Sequence, residues 1–194
     1  MKKFEVRAPK IIDQPRLVNG LVAETHYDEI EAKNLTLDSE RLDHLSLIDS
    51  QITGGSWINV EMPESTLRRI KVQDIRLSGL VAHTLFAENV DFVNCKLDMT
   101  NFRGGKFKNV RFTDCVLTEA DFQGSKFANV EFNNCDVNKI DLNSCVFNNV
   151  DLRSSKFTEL GGATTLKGVS MSREQLIMLA PIFANEIGIV VEES

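Results

Sequence analysis

A large or medium apolar residue recurs at every fifth position over much of the second half of this 194-residue chain. The run consists of Phe92, Leu97, Phe102, Phe107, Phe112, Leu117, Phe122, Phe127, Phe132, Val137, Leu142, Phe147, Leu152 and Phe157. A period of five fits neither the turn of an α-helix, about 3.6 residues, nor the two-residue alternation of a strand. The recurrence therefore predicts a solenoid whose coils are built from equivalent sides.

The position two residues before each member of this run is mostly small. These residues are Val90, Cys95, Thr100, Gly105, Val110, Cys115, Ala120, Ser125, Val130, Cys135, Ile140, Cys145, Val150 and Ser155. Two inward residues separated by one outward residue are strand-like, and the two remaining residues can turn a corner. Each pentapeptide therefore predicts one side of a coil, and four sides close a square.

A comparison of residues 91–110 with 111–130 supports this coil length, because nine of 20 positions are identical. If neighbouring coils pair as strands, they lie about 4.8 Å apart. Residues 27–160 would then form nearly seven coils and a rod of roughly 30 Å.

Three pentapeptides show the pattern best: Ala120-Asp121-Phe122-Gln123-Gly124, Ile140-Asp141-Leu142-Asn143-Ser144 and Val150-Asp151-Leu152-Arg153-Ser154. They resemble the A(D/N)Lxx repeat of the bacterial pentapeptide repeat proteins. The resemblance implies an all-β solenoid, a right-handed quadrilateral β-helix, and the handedness comes from the family alone. The ending of the chain resembles that of members with a short C-terminal capping α-helix.

The predicted organisation has three segments. Residues 1–26 form a lead-in, residues 27–160 form the β-helix, and residues 161–194 form a helix and a short strand that cap the solenoid and serve in dimerisation. We expect irregular coils before about residue 65, because Glu40 falls at a nominally inward position and Met62-Pro63 interrupts a corner.

After Gly162 the sequence changes character. Leu166, Gly168 and Val169 fall one residue earlier than the register predicts, and Ser172 to Gln175 matches a capping box. A helix should follow, kinked at Pro181 and ending at Gly188, and Ile189 to Val191 reads as a strand. The apolar stripe of this helix is Leu176, Leu179, Ala180, Phe183 and Ile187. We expect Leu176, Leu179 and Phe183 to seal the open end of the solenoid.

The helix carries more apolar residues than a cap requires. We therefore expect a homodimer, as in gyrase-binding members of the resembled family. The candidate interface residues are Ile177, Met178, Ile182, Phe183, Ile189 and Val191.

Unusual residues within the repeat are compensated in volume. Where the central residue is small, its partner two positions earlier is large, as in Leu80 with Ala82 and Leu85 with Ala87. Trp57 is preceded by Gly55 in the same way. Such exchange is expected of a core held at constant packing density.

All four cysteines, Cys95, Cys115, Cys135 and Cys145, occupy inward positions. Three of them share a column about 10 Å long, so their sulfurs cannot converge on one zinc ion. Parallel Cβ vectors also disfavour a disulfide. We expect free core thiols and no metal or other cofactor.

Two columns of outward residues are expected to have structural roles. Asn89, Asn109, Asn129 and Asn149 suit turns, and their stacked amides can hydrogen-bond from coil to coil. Asp91, Arg111 and Glu131 alternate in sign up one outer face, where each pair contributes about 0.2–1 kcal/mol.

The sequence offers little for catalysis. His26, His44 and His83 lie outside the regular repeat and lack metal-ligand spacing, and there is no nucleophile elbow or phosphate loop. A filled solenoid also lacks a cleft that could enclose a substrate. We therefore expect a non-enzymatic protein without catalytic residues.

Charge and hydropathy also limit the possible partners and location of the protein. The net charge of −6 and the absence of a basic cluster argue against direct nucleic-acid binding. No segment reads as a secretory signal or a membrane span. We expect a cytoplasmic protein.

Two functions remain. The favoured one is a rigid interaction scaffold for an unidentified protein partner, and the alternative, implied by the family resemblance, is a DNA-mimicking modulator of DNA gyrase or topoisomerase IV. Residues 90–160 carry ten acids and nine bases, whereas a DNA surrogate must present dense negative charge. One continuous acidic face on the rod would favour DNA mimicry, and mixed charge would favour the scaffold.

Overall fold

A parallel β-solenoid of about seven coils, closed at one end by a single helix, forms the protein in the computed structural model, which describes residues 15–189. The strands are β1 Arg16–Leu17, β2 His26–Asp28, β3 Ile30–Asp38, β4 Ser46–Ile58, β5 Thr66–Gln73, β6 Phe86–Val93, β7 Lys106–Thr113, β8 Lys126–Asn133, β9 Ile140–Asp141, β10 Val146–Asp151, β11 Leu160–Gly161 and β12 Val169–Ser170. A 3₁₀ turn spans Ala163–Thr165, and helix α1 spans Arg173–Glu186. The predicted solenoid with a C-terminal helix is confirmed.

Coils stack in the register that the sequence predicts. Val90 pairs with Val110, Val110 with Val130 and Val130 with Val150, so that each rung lies 20 residues from the next. The main sheet runs β1-β3-β4-β5-β6-β7-β8-β10-β12, and β9 pairs with β11 separately. At the last rung Val150 pairs with Val169, which confirms the one-residue slip.

Left-handed backbone conformations mark the corners. A positive φ recurs every five residues from Glu24 to Asn149, with Asn, Asp and Gly at many of these positions because they tolerate this conformation. The coils before residue 65 keep the same recurrence. Their departure from the pattern lies in the side chains, since Glu40 is exposed at its nominally inward position.

Stacked phenylalanines fill the interior. Phe112 lies between Phe92 and Phe132, with ring centroids 4.9 Å apart on both sides and rings nearly parallel. A neighbouring column is similar, because Phe107 stacks on Phe127 at 5.2 Å. Phe122 is fully buried. The five-residue run therefore forms one continuous apolar core, as predicted.

Volume compensation explains only part of the irregular region. Leu80, Ala82, Leu85 and Ala87 are all buried, and Leu80 and Leu85 are among the residues that line a remaining cavity of about 20 Å³. Gly55 has another reason, because its φ is +91° and an added Cβ would lie 2.2 Å from the carbonyl oxygen of Leu35. The close approach of the two backbones therefore requires glycine at position 55, a reason that the pairing with Trp57 does not include.

Both ends of α1 carry hydrogen-bonded caps. The Gln175 N–H donates to Ser172 Oγ over 3.2 Å, and the Ser172 N–H donates to Gln175 Oε1 over 2.7 Å, which confirms the predicted capping box. At the other end Gly188 has a φ of +80° and donates to Asn185 O, and Ile189 donates to Ala184 O. This is a Schellman motif, and Pro181 lies inside the helix.

The face that α1 buries differs from the predicted stripe. Leu179 is 1% exposed and Gln175 is 6% exposed, whereas Leu176 is 53% and Ile187 is 74% exposed. The sealing role predicted for Leu176 was therefore wrong, whereas Leu179 is buried and Phe183 packs partly against the core. The reason is polar: the Gln175 amide binds backbone carbonyls of the last coil, which sets the rotation of the helix.

Candidate interaction surfaces

The cysteine thiols satisfy backbone carbonyls inside the rod. The Cys145 thiol donates to Phe122 O over 3.0 Å, and burial raises its pKa to about 11. Cys95, Cys115 and Cys135 make the equivalent contact, each with a carbonyl 23 residues earlier. All four are free and buried, and no group of His, Cys, Asp and Glu within residues 15–189 is placed to hold a metal ion.

The asparagine column forms a hydrogen-bonded ladder. The amide of Asn109 donates to Asn89 over 3.2 Å, Asn129 to Asn109 over 3.1 Å and Asn149 to Asn129 over 3.0 Å. The predicted structural role is confirmed, because these bonds run from coil to coil. The amides are thus engaged with one another rather than presented as a row of free ligands.

Ion pairs between neighbouring coils distribute charge over the outer surface. Arg111 Nε lies 3.0 Å from Glu131, Arg103 Nε lies 2.6 Å from Asp121, and Arg69 Nε lies 2.6 Å from Asp49. Each of these three acidic residues therefore has a basic neighbour one rung away. From residue 90 to residue 160, three of the four sides carry both signs of charge, and the fourth carries only the bases Lys106, Lys108 and Lys126.

Asp91 is an exception within its column. Arg111 pairs with Glu131, while Asp91 Oδ1 is buried without a hydrogen-bond partner among the described residues. Burial raises the pKa of Asp91, although Arg111 and Lys71 act in the opposite direction. Although charge alternates in sign along this column, the Asp91 carboxylate thus has no ion pair with Arg111.

Most of the predicted interface residues lie on the solvent side of α1. Ile177 is 64%, Met178 is 45% and Ile182 is 42% exposed, and Ile189, just beyond the helix, is 53% exposed. Phe183 differs, because it is only partly exposed and packs against the end of the core. Val191 lies outside the described residues, as does most of the predicted strand from Ile189 to Val191.

Two open depressions flank α1 where it crosses the end of the rod. One, of about 500 Å³, is lined by Leu166, Lys167, Arg173, Leu176 and Phe183 among others. The other, of about 530 Å³, includes Lys139, Asp141, Glu159 and Ile182. Ser172 in the wall of the first is already engaged as the helix cap.

Within the described chain, α1 is too short and too polar to cross a membrane. Sequence reasoning missed Gln175 as a buried anchor. The only available signal was its place in the capping box, which accounts for its Oε1 atom and not for its amide nitrogen.

Residues 86–161 match the family model described as the pentapeptide repeat region. These residues form a pentapeptide repeat region. The matched stretch runs from β6 to the last rung of the β9–β11 pair, which is the most regular part of the solenoid. The family resemblance read from the sequence is confirmed.

Solved structures of pentapeptide repeat proteins are similar at low identity. The full-length fluoroquinolone resistance protein QnrB1 is 16% identical with a TM-score of 0.44, and the match covers 82% of this chain and all of that one. HetL, involved in heterocyst differentiation in the cyanobacterium Nostoc, is 14% identical with a TM-score of 0.38 over 75% of this chain and 91% of its own. Rfr23 from the cyanobacterium Cyanothece is 12% identical with a TM-score of 0.35, over 73% and 91%. No curated protein matches the sequence.

Proposed function

We propose that this protein is a non-enzymatic, rigid scaffold that binds another protein in the cytoplasm through a side of its rod. The observation that carries the proposal is the filled interior. Stacked rings such as Phe92, Phe112 and Phe132 occupy the space in which an enzyme of this shape would need a cleft. What the rod offers a partner is its outer surface.

The outer surface suits this role because its side chains are held in fixed columns. Neighbouring rungs lie about 4.8 Å apart, so that outward residues project at regular spacing from a stiff backbone. Presenting such a surface costs little ordering entropy on binding. The four buried free thiols fit the reducing conditions of the cytoplasm.

The alternative, a DNA-mimicking modulator of gyrase or topoisomerase IV, is less well supported. Residues 90–160 have a net charge of only −1, from ten acids and nine bases, and ion pairs such as Arg103–Asp121 neutralise acidic groups locally. A basic DNA-binding saddle selects dense negative charge, which this surface lacks.

One experiment separates the two functions. Benzophenone side chains placed in turn on each of the four sides should capture a protein from the native host through one side. Supercoiling by purified gyrase should be unaffected by micromolar protein. Tight inhibition at low salt that disappears as the ionic strength rises would overturn the scaffold in favour of the mimic.

We also propose a homodimer through the solvent side of α1. Ile177, Met178, Ile182 and Ile189 leave an apolar surface uncovered beside the end of the rod, and Phe183 and Val191 complete the proposed interface. A second copy would remove this surface from water, which is the main source of affinity between protein surfaces of this kind.

A further inference from the structure

One side of the rod differs from the other three in charge. It consists of the outward residues on both sides of Ala87, Phe107, Phe127 and Phe147, and we refer to it as the lysine face: Phe86, Glu88, Lys106, Lys108, Lys126, Ala128, Val146 and Asn148. It carries three lysines and one glutamate, in a protein whose net charge is −6. In the same four rungs, described in full, no other side has more bases than acids.

Two of these lysines are without a counter-ion. Lys108 Nζ lies 2.7 Å from Glu88, which also contacts Arg68 at 3.3 Å. Lys106 and Lys126 are exposed, pair with each other in register on adjacent rungs, and have no ion pair within residues 15–189. Their rungs lie about 4.8 Å apart, and like charges on neighbouring rungs repel, so an anionic partner gains both attraction and relief of that repulsion.

In the same column, an apolar residue lies on the rung before Lys106 and another on the rung after Lys126. Phe86 pairs in register with Lys106 and is partly exposed beneath the Arg68 guanidinium, while Val146 pairs with Lys126 and is 58% exposed. The column therefore reads apolar, basic, basic, apolar over four rungs. Its steps of about 4.8 Å lie close to the α-helical pitch of about 5.4 Å.

We propose that the lysine face binds an acidic amphipathic helix of the partner, laid along the rod, with two carboxylates facing Lys106 and Lys126 and apolar residues facing Phe86 and Val146. This inference rests on the proposed scaffold function and names the chemistry of its partner. The pitch difference accumulates to about 2 Å over three steps, which the long lysine side chains can absorb. Duplex DNA fits less well, because two free cations side by side engage few phosphates.

The test uses the full chain and a fluorescent helical peptide that presents Leu, Glu, Glu and Leu on successive turns of one face. A scrambled peptide of the same composition, and a duplex DNA of similar length, are measured in parallel by fluorescence anisotropy. We expect the ordered peptide to bind and the scrambled peptide and DNA to bind at least about tenfold more weakly.

Charge reversal assigns the site. Lys106→Glu with Lys126→Glu should weaken the ordered peptide at least about tenfold, while Lys139→Glu with Lys156→Glu, on the opposite side, should change it less than about twofold. Equal effects of the two double variants, equal binding of the scrambled peptide, or tighter binding of DNA would each overturn the proposal. Capture of a host protein through another side would leave the scaffold standing and refute this face alone.

Discussion

The side-chain amide of Gln175 in α1 donates to the carbonyl oxygen of Leu152 over 2.7 Å, and the two residues are 23 positions apart. The same separation joins Ser125 to Phe102 and Cys145 to Phe122 within the solenoid. Gln175 also lies 20 residues after Ser155, whose carbonyl it binds at 2.8 Å. The Gln175 side chain thus makes the hydrogen bond that an inward serine or cysteine of one further coil would make. It caps the last coil in place of that further coil.

Replacing Gln175 by glutamate should separate its two roles. Glutamate can still accept the Ser172 N–H at the helix cap, but it cannot donate to Leu152 O and Ser155 O. We expect Gln175→Glu to cost on the order of 1–3 kcal/mol and to speed amide hydrogen exchange in α1. Gln123→Glu, on an outer side, is the control. Equal exchange in the two variants would contradict the anchoring role.

This anchor also marks where sequence reasoning stopped. The coils could be predicted because their period is set by side-chain size at Phe102, Phe122 and equivalent positions, and the register follows from the repeat. The rotation of α1 could not, because it depends on which carbonyls of the last coil remain without a donor. Apolar residues surround the helix on several sides, so Leu176 and Leu179 looked equivalent until Gln175 distinguished them.

The same limit applies to the sides of the rod. The sequence shows that the net charge of the regular section is close to zero. That Lys106, Lys108 and Lys126 lie together on one face becomes visible when the residues are assigned to the four sides. Local contacts such as Arg111 with Glu131 rather than Asp91 depend on side-chain conformations, which column membership does not determine.

Phe122 tests the core. It stacks on Phe102 at 5.1 Å and is fully buried, so Phe122→Ala opens a cavity between stacked rungs that hydrogen-bonded neighbours prevent from collapsing. We expect a loss of about 3–5 kcal/mol in the free energy of unfolding, measured by denaturant titration. Asp121→Ala, which removes an exposed ion pair with Arg103, should cost about 1 kcal/mol or less. A loss for Phe122→Ala no greater than for this control would refute the core assignment.

Gly55 tests the backbone explanation for its position. Gly55→Ala would place Cβ against the Leu35 carbonyl in a left-handed conformation, so we expect a loss of several kcal/mol, or roughly 10 °C or more in melting temperature. Gly124→Ala is a matched control, because Gly124 has a similar conformation with φ of +72° but open space around it. It should cost only about 1 kcal/mol. Tolerance of Gly55→Ala would contradict the requirement for glycine at this position.

Asp91 should make stability depend on pH with an unusual sign. Since burial raises its pKa in the folded state, its favourable contribution is present below the unfolded pKa and is lost as the pH rises through the folded pKa. Asp91→Asn should therefore raise the melting temperature at pH 7 by about 2–4 °C, and the gain should fade in acid.

Asp74 provides the opposite case for comparison. A hydrogen bond from Asn94 lowers the pKa of Asp74, so its contribution is present above the unfolded pKa and is lost as the pH falls through the folded pKa. Asp74→Asn should accordingly lower the melting temperature slightly at pH 7. Parallel shifts for the two variants would show that the carboxylate environments do not differ as described.

The proposed dimer calls for a point variant rather than a truncation. Deleting residues 172–194 would remove Gln175 and Leu179 and expose the last coil, so that aggregation could hide a change in assembly. Ile177→Glu with Met178→Glu alters only the solvent side of α1. Light scattering should give twice the chain mass of 21.8 kDa for the wild type and the single chain mass for this variant.

Val146→Glu is the control for this prediction. It changes an apolar residue of similar exposure away from the helix and should leave the dimer intact, because Val146 lies outside the proposed interface. A monomeric wild type, or a double variant that keeps the mass of the dimer, would refute the interface.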